Sequence, residues 1–182
     1  MITDASTLGA KSPHPHPVKM SDAEARTLTF LLPLSEDYPG IARWFVQKVV
    51  PGVRQGTRLL LPVERDGAMV GLGIAKKEAD ECKICTVRVA PTYAGRGIGV
   101  RLFDGLLKWL DHDRPHLTVS ATKLPQFERI FDYYGFDVTS AHEGLYVPKM
   151  TELGYNDPVI LPISTSLPLV GTDMSRRGAH QA

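Results

Sequence analysis

Between Val87 and Gly99 the chain reads Val-Arg-Val-Ala-Pro-Thr-Tyr-Ala-Gly-Arg-Gly-Ile-Gly: a β-branched run, a turn at proline, then glycines at 95, 97 and 99. Leu102, Phe103, Leu106, Trp109 and Leu110 follow at the i, i+3, i+4 spacing of a helix packed on a sheet, so the glycines open a helix running from Gly97 to about His112. The first turn of a helix has unpaired N–H groups and the positive end of the macrodipole, where a diphosphate can sit on several amides. Glycine lets oxygens approach without a Cβ clash, and Arg96 adds a charge that could reach a phosphate.

Glycine-rich turns serve several ligands; one fails on spacing, and another fits poorly for its place in the chain. A P-loop needs GxxxxGK followed by Ser or Thr, and neither lysine nor hydroxyl stands at that distance. A dinucleotide fold places its GxGxxG after an N-terminal strand, with an acidic residue about 20 positions on; here Gly95-x-Gly97-x-Gly99 follows the third or fourth strand. The two cysteines, Cys82 and Cys85, have CxxC spacing but lie in the strand-like CKICTVRV. Strand residues three apart point to opposite faces, whereas a redox CxxC sits at a helix N-terminus. With no second CxxC or histidine pair nearby, zinc has too few ligands. Two buried, reduced thiols and no metal are expected.

At this point the sequence resembles the GNAT superfamily of acetyl-CoA-dependent N-acetyltransferases. The family signature is Gln or Arg, two residues, Gly, one residue, then Gly or Ala, after a strand ending Val-x-Pro. Ala94-Gly95-Arg96-Gly97-Ile98-Gly99 aligns with it, and YAGRGIG departs from the common YRGRGIG only at Ala94. Tyr134-Gly135-Phe136 supplies a second landmark, an aromatic followed by Gly-Phe, and the likeness spans about residues 28 to 148. The resemblance implies a mixed, mostly antiparallel α/β sheet flanked by helices. It implies that the backbone of Val87, Arg88 and Val89 pairs with the pantetheine arm of acetyl-CoA. It also implies that the amides of Gly95, Arg96, Gly97, Ile98, Gly99 and Val100 hold the pyrophosphate. The thioester carbonyl would face Val89, whose N–H could stabilise an oxyanion as an amine attacks directly.

The same resemblance puts a glutamate base midway along the central strand, where this chain has Lys83; Glu81 is two residues earlier on the same face. Glu81 is the candidate base, or else a solvated strand-end carboxylate beside Glu78 and Asp80. The family's tyrosine acid, four residues before Gly-Phe by this reckoning, is replaced by Phe131. Tyr134, one turn on, is either core or a relocated acid, and Ser120 could bind substrate or begin a turn. The acceptor, an amine on a small molecule or a protein, would meet residues 38–56 and the strands around 142–146. Arg43, Lys48, Arg54 and Arg58 could favour an anionic one there, or form a solvated face. A protein that binds acyl-CoA without catalysis is the alternative, and a homodimer is left open.

These residues need a scaffold, and the periodicities supply one. A strand is expected at 26–32, and a helix at 38–49 with Ile41, Trp44, Phe45, Lys48 and Val49 on one side, ended by Pro51-Gly52. Strands at 57–64 and 68–76 flank the turn Arg65-Asp66-Gly67, and a third covers 82–89. After the glycine-opened helix come a strand at 116–121 and a helix at 125–134 with Phe127, Ile130, Phe131 and Tyr134 inward. Gly135 ends that helix, and strands in GFDVTSA and GLYVPK close the domain.

At 182 residues and 43% hydrophobic content, one domain is expected, at 25–155. Lys plus Arg number 21 against 20 acidic residues, which gives no net field to gather nucleic acid or an anionic membrane. No apolar run approaches the roughly 20 residues of a bilayer span, and the first residues lack the apolar stretch of a signal peptide, so a cytoplasmic protein is expected. Residues 1–24, with His14 and His16 between prolines, and 156–182 show no period and read as poorly ordered tails.

Overall fold

Residues 19–157 are described by a computed structural model. The first element corrects the expected strand at 26–32: α1 spans Asp22–Leu31. Ser21 accepts from the Glu24 N–H while the Glu24 carboxylate accepts from the Ser21 N–H, a capping box that satisfies two orphan donors at once. Thr27 and Thr29, which favour a strand by type, donate their hydroxyls to the carbonyls of Ala23 and Ala25 one turn back. Helix therefore begins at the end of the expected tail 1–24, whose residues 1–18, His14 and His16 among them, lie outside the described residues.

Pro51-Gly52 does not end the second helical stretch either. α2 (Ile41–Trp44) passes through a π-helical turn (Phe45–Val49) into α3 (Val50–Arg54). A proline removes one ladder bond and crowds the carbonyl four residues back, and the wider π turn just before Pro51 loosens the ladder at that point. Ile41, Phe45, Val49 and Val50 are buried, whereas Lys48 is exposed.

Strands β1 (Arg58–Arg65), β2 (Ala68–Lys77) and β3 (Cys82–Val89) form an antiparallel sheet in that order, close to expectation. Helix α4 (Ile98–Leu110) lies across one face of it. A Cβ at Gly73 would come within 2.9 Å of Leu106, so the bare backbone of β2 is what lets the helix sit so near. β4 (Leu117–Ser120), α5 (Glu128–Tyr134) and β5 (Val138–Glu143) follow. The last strand is not GLYVPK, which turns and bends, but β6 (Thr151–Tyr155), which inserts between its predecessors to give the order β4-β6-β5. The ordered chain also runs past 155: Asn156 donates to the carbonyls of Asp137 and Pro115, and Asp157 pairs with His116 at 2.7 Å. The rest of the expected C-terminal tail lies outside the described residues.

The fold is therefore α/β, two antiparallel sheets flanked by helices. One core gathers Phe103, Leu106, Leu110, Leu117, Val119, Phe131, Phe136 and Tyr155 between the sheets and α4 and α5. A second, on the opposite face, packs Leu31, Ile41, Phe45, Val49 and Val50 on Leu72 and Ile74. Cys82 borders the first core and Cys85 the second, opposite faces as their spacing demands; both are free thiols, only partly buried.

Candidate active site

The two sheets touch at one point. Lys83 and His116 form a single parallel bridge, in which the Ile84 N–H donates to the His116 carbonyl at 3.0 Å and the His116 N–H to the Cys82 carbonyl at 3.0 Å. Beyond it β3 and β4 part, and no strand among the described residues fills the gap.

Alternation identifies the groups facing that gap. The Ala90 N–H donates to Val70 on β2, so Arg88 also turns its backbone to β2, while Val87 and Val89 turn theirs to the open edge. On β4 the side towards β6 continues at Ala121, whose N–H donates to Thr151 of β6, which leaves Thr118 and Ser120 facing the gap. A bulge at Cys85, opposite the step from Ile74 to Ala75, bends β3 where the parting begins. Arg88, expected among the cofactor contacts, sits on the other side: its guanidinium donates to the Phe30 carbonyl at 2.6 Å and lies 4.4 Å over the Phe30 ring.

The open edge of β3 leads straight into the glycine loop. A 3₁₀ turn at Pro91–Tyr93 closes with the Ala94 N–H donating to Pro91, after which Gly95 and Gly97 take φ of 73° and 77°. Both lie in the left-handed region that side chains resist, and a Cβ at either would meet nothing within 4 Å. Among the described residues the N–H groups of Gly95, Arg96 and Gly97 make no backbone hydrogen bond, and those of Ile98, Gly99 and Val100 open α4. No side chain among the described residues caps that helix and no acidic residue stands in its first turn, which leaves six consecutive amides for an outside acceptor. Gly99 has a different reason for being glycine: a Cβ there would lie 2.9 Å from Ile130 Cδ1, so it lets α5 close on α4. Arg96 rests its guanidinium 5.5 Å over the Tyr93 ring at the rim.

The candidate proton carriers are not gathered at this edge. Glu81 sits at the closed end, beyond the bridge, and eight residue steps of extended strand carry the chain from it to Val89, roughly 26 Å. Its carboxylate accepts from Lys76 at 2.5 Å and stands 3.7 Å from His116, and the Lys76 hydrogen bond holds its pKa below the usual range despite some burial. Tyr134 donates to Asp104 Oδ1 at 2.6 Å and to the Val100 carbonyl at 3.3 Å on α4, with its ring stacked on Phe103. Burial first, then the Asp104 carboxylate, raise its phenol well above the ordinary value. Phe131 is buried against Phe127, Phe136 and Tyr155.

One carboxylate escapes the sequence reading. Glu152, on the central strand β6, is 3% exposed and lies opposite Ser120 on β4 and His142 on β5. Burial is the main reason its pKa is raised, and Asp37 adds to the effect; the Tyr38 hydroxyl and Lys83 pull the other way. Tyr38 packs edge-on against Tyr146 at 5.2 Å, which joins the two segments where an acceptor is expected, 38–56 and 142–146. Thr151-Glu-Leu-Gly-Tyr alternates polar and apolar residues, and that period is the available sign of a strand with an inward carboxylate.

Residues 39–144, more than half of the chain, match the acetyltransferase (GNAT) domain family. The chain belongs to the GNAT acetyltransferases. Solved structures similar to this GNAT chain include an acetyltransferase of that family from Desulfovibrio desulfuricans, with 14% identity, 73% of this chain and 88% of the other covered, and a TM-score of 0.56. An aminoglycoside 6'-N-acetyltransferase complexed with coenzyme A has 14% identity, covers 82% and 97%, and scores 0.55. The ribosomal-protein-S18-alanine N-acetyltransferase from Escherichia coli has 18% identity, covers 59% and 73%, and scores 0.51. At these identities the likeness is one of fold. No protein of curated function matches the sequence. Among the described residues no three His, Cys, Asp or Glu side chains cluster as metal ligands, and no helix is long and apolar enough to cross a membrane.

Proposed function

We propose that this GNAT protein transfers an acetyl group from acetyl-CoA to an amine by direct attack. The observation that carries the reading is the continuity of unsatisfied donors: Val87 and Val89 on the open edge of β3 run into the six free amides of Gly95 to Val100. The loop amides and the α4 dipole suit a diphosphate. An extended amide-bearing arm running from there into the gap would meet the β3 edge as a further strand does, and an aminoglycoside acetyltransferase of like fold is complexed with coenzyme A. Val87 and Val89 each aim an N–H into the gap, and a donor fixed where negative charge develops on a carbonyl oxygen needs no reorganisation as the reaction proceeds. The chain forms no covalent intermediate in this reading; it positions two reactants.

Calorimetric titration with acetyl-CoA, followed by release of free thiol over a panel of amines, tests this reading. Wild type should bind and turn over, and Gly97→Val, which forces a β-branched residue into φ of 77°, should abolish binding. Binding without turnover on any amine would favour an acyl-CoA sensor, and undiminished binding by Gly97→Val would remove the loop from the site.

A further inference from the structure

The acceptor side of the site can be read from Glu152. Its Oε2 is the one buried side-chain oxygen or nitrogen among the described residues that has no hydrogen-bond partner. The Tyr38 hydroxyl stands beside the carboxylate but closes no hydrogen bond to Oε2, and a buried carboxylate oxygen left without one costs free energy, so a donor bound there would be favoured. Position agrees with this. Leu153 and Tyr155 pack towards α4 and α5, so Glu152 points to the opposite face. Its cross-strand neighbour Ser120 belongs to β4, the strand bordering the gap, and adjacent strands lie about 4.8 Å apart. A donor bound along β3 from the α4 side and an acceptor held on Glu152 would thus reach the gap from opposite faces of the divided sheet.

The surroundings indicate what the acceptor is. Tyr38 stands beside the carboxylate and packs edge-on against Tyr146, and aromatic rings next to a carboxylate are a setting that attracts cations. The other charged or titratable groups around Glu152 are Asp37, itself paired with Lys123 at 3.1 Å, Lys83 from β3 and His142 from β5. Two of the basic residues read as favouring an anion are engaged elsewhere. Arg54 pairs with Glu24 at 2.9 Å, and Arg58 lies 5.9 Å over the Trp44 ring and donates to Cys85 Sγ.

We propose that Glu152 is the anchor and proton acceptor for the acetyl acceptor, and that this acceptor is an aliphatic primary amine, cationic at neutral pH, seated against Tyr38 and Tyr146. The inference rests on the acetyltransferase reading for its second reactant. The carboxylate takes one proton from the bound ammonium. The freed lone pair forms the C–N bond to the thioester carbonyl carbon as the C–S bond breaks, and the second proton passes from nitrogen to the departing thiolate. Burial raises the Glu152 carboxyl above its ordinary value, the direction that strengthens a carboxylate as a base.

Glu152→Gln keeps the shape and removes the charge. In an NMR titration of the full chain with n-butylammonium and no acetyl-CoA, wild type should bind saturably and Glu152→Gln at least about tenfold more weakly, the effect of losing a charge-assisted bond. Equal binding by both, or no binding by wild type, overturns the proposal. In the thiol-release assay Glu152→Gln should keep its acetyl-CoA affinity, lose roughly 100-fold or more in kcat/KM for butylamine, and lose the rise of rate with pH. An unchanged rate and profile would overturn the role as base. If Glu152→Gln does not fold, Glu152→Asp replaces it: a weakened rate with the pH dependence retained supports the proposal, and a wild-type rate refutes it. Failure of wild type to bind acetyl-CoA would sink the transferase reading, and the amine titration would still test this site independently.

Discussion

Gly71 on β2 offers a direct test of how the phosphate loop is held. A Cβ there would lie 2.7 Å from Ile98 Cγ2, 3.3 Å from Leu102 Cδ1 and 3.4 Å from Val63 Cβ. Carbon atoms in good contact are about 3.5–4.0 Å apart, so the nearest contact must open by roughly 1 Å. Ile98 cannot simply swing away, because its branched side chain is stiff at χ1 and it is 4% exposed. The first turn of α4 must lift instead, and Gly71→Ala should cost about 1–3 kcal/mol. At about 4 °C per kcal/mol for a domain of this size, the melting temperature falls by about 4–12 °C. Because Ile98 carries one of the six free amides, acetyl-CoA affinity should fall about tenfold as well. Ile98→Ala alone leaves a cavity and costs about 2–5 kcal/mol, but in the double variant the new methyl group occupies part of it. Thermal melts of all four proteins would then show the double variant at least about 1 kcal/mol more stable than the sum of the single losses. Strict additivity, or wild-type melting of Gly71→Ala, would refute the close seating of α4 on β2.

Glu24 should make stability sensitive to acid. Burial raises its carboxyl, but the Ser21 N–H and Arg54 outweigh that and hold the pKa below the ordinary value. The stability it adds is therefore complete above the usual glutamate pKa and is lost as pH falls through the lower folded value. Glu24→Gln keeps an acceptor for the Ser21 N–H but loses the charge that pairs with Arg54, so it should melt slightly lower than wild type at neutral pH, by up to about 1 kcal/mol, and the gap should narrow below about pH 4.3. Tyr134→Phe should lose about 1 kcal/mol by freeing Asp104, while turnover stays close to wild type. A fall of roughly 100-fold in kcat would instead mark the phenol as the general acid.

The chemistry-bearing segment is legible because it is local. A strand, a turn and glycines at fixed spacing decide their own conformation, and the structure has β3, the positive-φ loop and α4 within two residues of expectation. The departures arise where a distant or subtle term decides. The Thr-Leu-Thr run favours a strand by composition, yet Ser21 and Glu24 fix a helix before it begins. Pro51 stops an ordinary α-helix but not one preceded by a π turn. Glu152 is hidden for a third reason: its burial comes from strands 32 and 10 residues away in sequence, Ser120 and His142, and no window along the chain contains that neighbourhood.

The order β4-β6-β5 also has a consequence in time. The middle strand of the second sheet is the last one synthesised, and β4 and β5 do not pair with each other without it. At about 5–20 residues per second, the 35 residues from Ser120 to Tyr155 take roughly 2–7 s to emerge. During that interval the first sheet and its glycine loop can already be folded, while β4 waits throughout, and β5 from Glu143 onward, with bare edges that invite chaperones or a neighbouring nascent chain. Glu152 arrives on the strand that ends the wait, so the proposed amine site comes into being at the same moment as the finished sheet.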